Sequence, residues 1–156
     1  MAAGKIKAIY IAPKAGVGVS GHQKVSLKAG KGIVGDRYYS ETGANRSNYK
    51  GQPDWEITLI ESEVIEAFNA ETGNQFHESD FRRNLVTQGI RLNDLVGKTF
   101  ILDGVQCYGV QLCEPCASLQ RRLGVKILPD LVGKGGLRAQ IRDSGVIAAG
   151  SAIAES

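Results

Sequence analysis

The sequence predicts a mainly β fold, a compact barrel with a few short peripheral helices, and three observations carry that prediction. Glycine accounts for 20 of 156 residues, about 13% against a usual level of about 7%, and it is spread among β-branched residues rather than gathered in a linker. Short strand-like runs alternate with turn signals along the whole chain. Few segments carry helical spacing, whereas a doubly wound sheet needs a helix after nearly every strand. The length suits one domain over residues 1–156, and 42% hydrophobic against 22% charged residues gives enough apolar surface for one core.

Each element follows from local pattern. Lys5 to Ile11 alternates with a period near two, which predicts a strand with Ile6, Ala8 and Tyr10 on one face and Ile9 on the other. A glycine-punctuated stretch leads to a short strand at Lys24 to Lys28, and Gly32 and Gly35 bracket a turn in KGIVGDRYY. Arg37 to Pro53 is polar, nearly free of aliphatic residues and long for a connection, so a mobile flap is expected there. Trp55 to Ile60 reads as a strand running into a helix. That helix has Val64, Ile65, Ala67 and Phe68 at helical spacing, acidic residues in its first turn, and Gly73 as its stop.

Three further strand-like runs follow, RRNLVTQG, GKTFILDG and VQCYGVQLC, and Asp103-Gly104 between the last two is a hairpin signal. Ala117 to Leu123 reads as a short helix ended by Gly124, with another helical turn near Pro129 to Val132. The remaining GKGGLRAQIRDSGVIAAGSAIAES returns to short strands and tight turns.

Charge and cysteine usage narrow the function. Nineteen basic against sixteen acidic residues give +3, and no Lys/Arg run exceeds two, so no electrostatic footprint for nucleic acid or anionic lipid is expected. No stretch approaches the roughly 20 apolar residues of a membrane span. The opening MAAGKIKAIYIAP has no long apolar region of a secretory signal, so no membrane and a cytoplasmic location are expected. Cys107, Cys113 and Cys116 are an odd number clustered in one stretch, unlike a secreted disulfide framework.

The strongest local motif is Cys113-Glu114-Pro115-Cys116, where a strand gives way to a helix. A thiol at a helix start faces free backbone N–H groups that stabilise the thiolate, and Pro115 suits that position, so Cys116 is the better-placed sulfur. A structural zinc site would need a second ligand pair, and His22 and His77 are distant in sequence. A thioredoxin-like dithiol would need a βαβ setting that this stretch lacks. The plain alternative, a small inert hydrophobe, is preferred for Cys107 inside a strand.

Arg82-Arg83-Asn84 before a strand can hold a phosphate through bidentate bonds, or it can be a solvated arginine pair. Gly133-Lys134-Gly135-Gly136-Leu137-Arg138 can converge amides on an anion or form a tight turn, and it is not a Walker motif. Asp36-Arg37 at a turn reads as a local ion pair. Spacing alone therefore yields a reactive thiol plus anion contacts.

Taken in order, GIVGDRYY, WEITLIESE, FRRNLVTQGIRLNDLVGKTF, GVQLCEPCASL, KGGLRAQI and SGVIAAGSAI resemble the MOSC family, named from the C-terminal domain of eukaryotic molybdenum cofactor sulfurase. The resemblance runs from about Lys5 to Ile153 and implies a compact MOSC-type β-barrel, a stand-alone bacterial-type member. It implies a site at Cys116, either as a thiolate ligand to molybdenum of the molybdenum cofactor (molybdopterin) or as a persulfide sulfur carrier. Arg83 and Asn84 match the family position lining the pterin phosphate, and Arg138, Asp36 and Arg37 match other pocket positions.

Two departures stand out. Tyr38-Tyr39 replaces a histidine that many members carry after GDR, and Gly150-Ser151 replaces a Gly-Asp. The implied partners are a pyridoxal-phosphate cysteine desulfurase, a molybdoenzyme, or reductase proteins supplying electrons for reduction of N-hydroxylated compounds. The chain itself has no iron–sulfur cysteine set and no dinucleotide fingerprint. The alternative from another class is a domain that binds a small phosphorylated ligand with no redox or sulfur chemistry.

Overall fold

The computed structural model describes residues 3–13, 18–37, 39, 56–114, 117–127 and 130–156. Its strands are β1 (Ala3–Ile11), β2 (Ser20–His22), β3 (Lys24–Lys28), β4 (Gly32–Ile33), β5 (Ile57–Glu61), β6 (Leu85–Gln88), β7 (Thr99–Leu102), β8 (Val105–Leu112), β9 (Leu137–Ile141), β10 (Gly145–Ala148) and β11 (Ala152–Glu155). The helices are α1 (Ser62–Thr72) and α2 (Ala117–Leu123), with 3-10 turns at Glu78–Phe81 and Leu92–Leu95. None of the described helices is long and apolar enough to cross a membrane.

Among the described residues, seven strands close a barrel in the order β11-β7-β8-β9-β5-β6-β1, with β1 pairing back onto β11 through Ala3↔Ala154, Gly4↔Ile153 and Lys5↔Ala152. β2 adds to the far end of β1, and β10, β3 and β4 make a second, three-stranded sheet. The β5–β6 pair is parallel because α1 carries the chain across between them. The other named strand pairs described are antiparallel.

Turn chemistry explains where these elements stop. Leu102 pairs with Val105, so Asp103-Gly104 is a two-residue hairpin, and both residues take positive φ (47° and 81°), as a type I′ turn requires. Helix α1 ends on Gly73 at φ 70°, whose N–H caps the Asn69 carbonyl.

Among the described residues two apolar clusters result. The barrel interior holds Ile6, Ile9, Leu59, Leu85, Phe100 and Leu137 among others. Outside the wall, Ile60 and Val86 of β5 and β6 belong to one apolar cluster with Ile65 and Phe68 of α1 and with Leu119 and Leu123 of α2, which packs on the 3-10 turn at Glu78–Phe81. Phe68, Phe76 and Phe81 complete this layer as mutual neighbours, with ring centroids 6.1–6.3 Å apart.

One expectation is corrected. Ile6 and Ile9 both face the barrel interior, while Ala8 and Tyr10 lie on the outside. Pairing with β6 shifts register between Ile6 and Ala8, and the extra residue of this bulge reverses the alternation from Ala8 onward.

Candidate functional site

The loop from Phe81 to Asn84 is fixed at both ends by burial. Phe81 is fully enclosed by the aromatic cluster over the barrel wall. Asn84, also fully buried, joins three strands: its Oδ1 accepts from Thr58 N (3.0 Å) and Thr58 Oγ1 (3.1 Å), and its Nδ2 donates to the Tyr10 carbonyl (3.2 Å). Between them Arg82 takes the left-handed conformation (φ 60°), which L-residues avoid at a cost of roughly 1–2 kcal/mol.

Arg83 therefore leaves the wall from a rigid base. Its half-buried guanidinium donates from Nε to the Gly135 carbonyl (2.9 Å), from Nη1 to Phe81 (3.2 Å) and from Nη2 to Cys113 (3.4 Å). Three of five N–H donors thus go to neutral carbonyls, and among the described residues no carboxylate pairs with it.

The glycine pair makes this approach possible. A Cβ on Gly135 would collide with the Cys113 carbonyl, and one on Gly136 (φ 113°) with that of Leu59. The glycines thus let the segment before β9 lie against backbone, with Cys113 N donating to Gly136 O (2.7 Å). The same segment is tied through Gly133 N, which donates to Glu114 Oε1 (3.0 Å), and through Gly133 O, which accepts from Asn93 Nδ2 (2.8 Å).

Asp36 and Arg37 join the same sector. Asp36 is fully buried and accepts from Ala12 N (3.0 Å), just beyond β1, while Arg37 pairs with it (3.2 Å) and donates from Nη2 to the Arg82 carbonyl (3.1 Å). Arg37 is the expected first residue of the flap, but it is buried and paired; residues 38 and 40–53 of that segment lie outside the described residues. Arg138 is half-buried on β9, opposite Thr58 in register, and its neighbours Leu137 and Ala139 face inward, so it stands on the outer face.

Arg83, Asn84, Arg138, Asp36 and Arg37 therefore occupy one sector of the wall. Cys116 and Pro115 lie outside the described residues; the nearest described positions in sequence are Glu114 and Ala117, the first residue of α2.

The remaining thiols differ. Cys107 is enclosed in the barrel, where burial foremost, then the charges of Glu56 and Asp143, push its pKa from 9.0 up to about 12. Cys113 is buried and free. Among the described residues no group of three or more His, Cys, Asp or Glu side chains is placed to hold a metal ion.

Sequence reasoning did not find Thr58, the left-handed turn at Arg82, or the carbonyls that receive Arg83. No local pattern marks them, because apart from the Phe81 carbonyl, two positions from Arg83, each depends on a partner 26 to 52 positions away.

Comparison with known proteins agrees with this architecture. The fold is similar to the YUAD protein from Bacillus subtilis (TM-score 0.80, 17% identity, covering 97% of this chain and 94% of that one). It is also similar to YiiM from Geobacillus stearothermophilus (TM-score 0.73, 19% identity, 98% and 75% covered) and to YiiM from Escherichia coli (TM-score 0.69, 17% identity, 97% and 69% covered). No curated protein matches the sequence significantly. The MOSC domain model matches residues 46–154, most of the barrel together with both helices, and on that match the chain belongs to the MOSC domain family.

Proposed function

We propose that this chain binds the molybdenum cofactor, or carries its sulfur, at a site made by Cys116 and the Arg83 sector. The observation that carries the reading is Arg83 itself. A half-buried guanidinium held by three carbonyls, with two N–H donors beyond those bonds and no carboxylate partner among the described residues, is a preformed seat for an anion. The MOSC domain family is generally associated with the molybdenum cofactor, whose pterin carries a phosphate, and the donor chemistry of Arg83 fits that group.

In this reading Arg83 binds the phosphate and Arg138 borders it, while Asn84 fixes the backbone beneath. Cys116, three positions on in sequence from Cys113, whose carbonyl Arg83 holds, supplies a thiolate. The cofactor, when bound, supplies two-electron chemistry at molybdenum. For sulfur carriage the Cys116 thiolate attacks the outer sulfur of a donor persulfide, forming a Cys116 persulfide and releasing the donor thiolate. A cysteine desulfurase is the class of donor required, and a reducing, cytoplasmic setting suits a free thiolate. We rank cofactor or sulfur carriage above partnered reduction, since reduction needs electrons from other proteins.

The test is to purify wild type and Cys116→Ser from a host that makes molybdenum cofactor and to measure molybdenum, pterin and sulfane sulfur together. Molybdenum with pterin in wild type only supports the metal-ligand role, and sulfane sulfur without metal supports the carrier. If wild type holds neither, even after incubation with free cofactor and with desulfurase plus cysteine, the reading fails and a phosphorylated-ligand binding domain takes its place.

A further inference from the structure

We propose that Asp36 and Arg37 are positioning residues, a buried pair that pins the left-handed turn at Arg82 and so sets the Arg83 guanidinium against the Cys113 and Gly135 carbonyls. The inference gives this pair a role distinct from ligand contact, and its bearing on binding rests on the reading of Arg83 as an anion seat.

The pair is bolted to the end of β1 twice, by Ala12 N donating to Asp36 Oδ1 (3.0 Å) and by Arg37 N donating to the Ala12 carbonyl (2.7 Å). From that anchor Arg37 Nη1 reaches Asp36 (3.2 Å) and Nη2 reaches the carbonyl of Arg82 (3.1 Å). Arg37 thus acts as a bridge, with one nitrogen on the anchor and the other on the turn.

Replacing a buried ion pair by packed apolar side chains of similar volume is often neutral or stabilising, so the use of one here directs attention to what it holds in place. What it holds is a non-glycine residue at φ 60°. Besides Arg37 on its carbonyl, that turn has the bond from Arg82 N to the Ser79 carbonyl (3.1 Å). If Arg82 relaxed to an extended conformation, the direction in which Arg83 leaves the chain would change, and the bond from Arg83 Nε to Gly135 O could not be kept. The left-handed penalty corresponds to a factor of about 5–30 in the relaxation equilibrium.

The experiment follows the Arg83 Nε–H by nitrogen-15 NMR, with Arg83→Gln identifying the signal, and needs no ligand. Wild type should show an Nε–H protected from exchange with water. Arg37→Lys keeps a cation beside Asp36 but lacks the planar fork that bridges two acceptors, so the fold should persist while exchange of the Arg83 Nε–H accelerates about 5–30-fold. Adding Arg82→Gly, which takes positive φ without strain, should return the rate to near that of wild type. The neutral pair Asp36→Asn with Arg37→Gln should behave as Arg37→Lys does, and the glycine should rescue it too.

An unprotected Nε–H in wild type, unchanged exchange in Arg37→Lys, or failure of Arg82→Gly to rescue each overturns the positioning role. A parallel titration with inorganic phosphate separates the two readings. Phosphate binding that ignores Arg83→Gln counts against the anion seat alone, and the exchange results still decide the role of Asp36 and Arg37.

Discussion

Thr58 and Asn84 grip each other through three hydrogen bonds of 3.0–3.1 Å, two running from Thr58 to Asn84 Oδ1 and one from Asn84 N back to Thr58 Oγ1. The contact fastens β5 to the start of β6 one residue after Arg83. A side chain first read as a ligand contact therefore has most of its hydrogen-bonding capacity engaged inside the wall.

Asn84→Ala should accordingly act on stability. It strands Thr58 N and the Tyr10 carbonyl and takes the acceptor from the Thr58 hydroxyl in a buried setting, where each unsatisfied group costs about 1–3 kcal/mol. A total loss of about 3–5 kcal/mol is expected, read as a lower urea midpoint with an unchanged slope.

Arg83→Lys should prove nearly as damaging to phosphate binding as Arg83→Gln, despite keeping the charge. An ammonium cannot reach carbonyls of Phe81, Cys113 and Gly135 together from one plane. A loss of about tenfold or more in phosphate affinity for both variants, measured by calorimetry, is the expected outcome.

Cys107 should resist alkylation in the native protein at pH 8 and react only on unfolding, whereas Cys116 should react in the native state. The Cys107 thiol has an ordinary pKa of 9.0 that burial raises to about 12 in the folded state, so the native state holds the extra proton between those values. Its contribution to stability is complete below pH 9 and is lost as pH rises toward 12, at up to about 1.4 kcal/mol per pH unit. Cys107→Ala should flatten that slope between pH 9 and 10, where Tyr10, whose pKa is raised from 10.0 to about 12 by burial and by its bond to Glu78, contributes less than Cys107. Urea titrations at several pH values measure both.

Glu61 is raised above the usual carboxylate range, mainly by burial, with Glu63 and Asp94 adding to the effect and the Leu92 N–H and Arg91 opposing it. Folding therefore favours its protonated form, and its contribution is lost as pH rises through the folded-state value. Glu61→Gln keeps an acceptor for Leu92 N and removes the charge. It should raise the melting temperature at pH 7, with the gain vanishing near pH 4.

Local chemistry carried the fold prediction where residues act on their neighbours. Asp103-Gly104 specifies its hairpin and Gly73 stops α1, because positive φ is a property of the residue itself. The bulge at Lys7 escaped, since counting every second residue cannot register an inserted one. Within the site, Arg83 was visible as a charge in a suggestive place. Its setting was not, because Cys113 and Gly135 meet it only after the barrel has closed. Gly135-Gly136, an anion cradle or a tight turn by sequence, turns out to serve close backbone approach.

The seam of the barrel has a consequence for biosynthesis. Ala3, Gly4 and Lys5 wait for Ala152, Ile153 and Ala154, so this edge of β1 has no β11 partner until residues 152–154 have left the ribosome. At about 5–20 residues per second that interval is roughly 7–30 seconds. Throughout it the nascent chain presents an open strand edge, a template for pairing with another copy. Closure of the barrel therefore waits on the strand that is made last among those described, and slower synthesis lengthens the exposure of that edge.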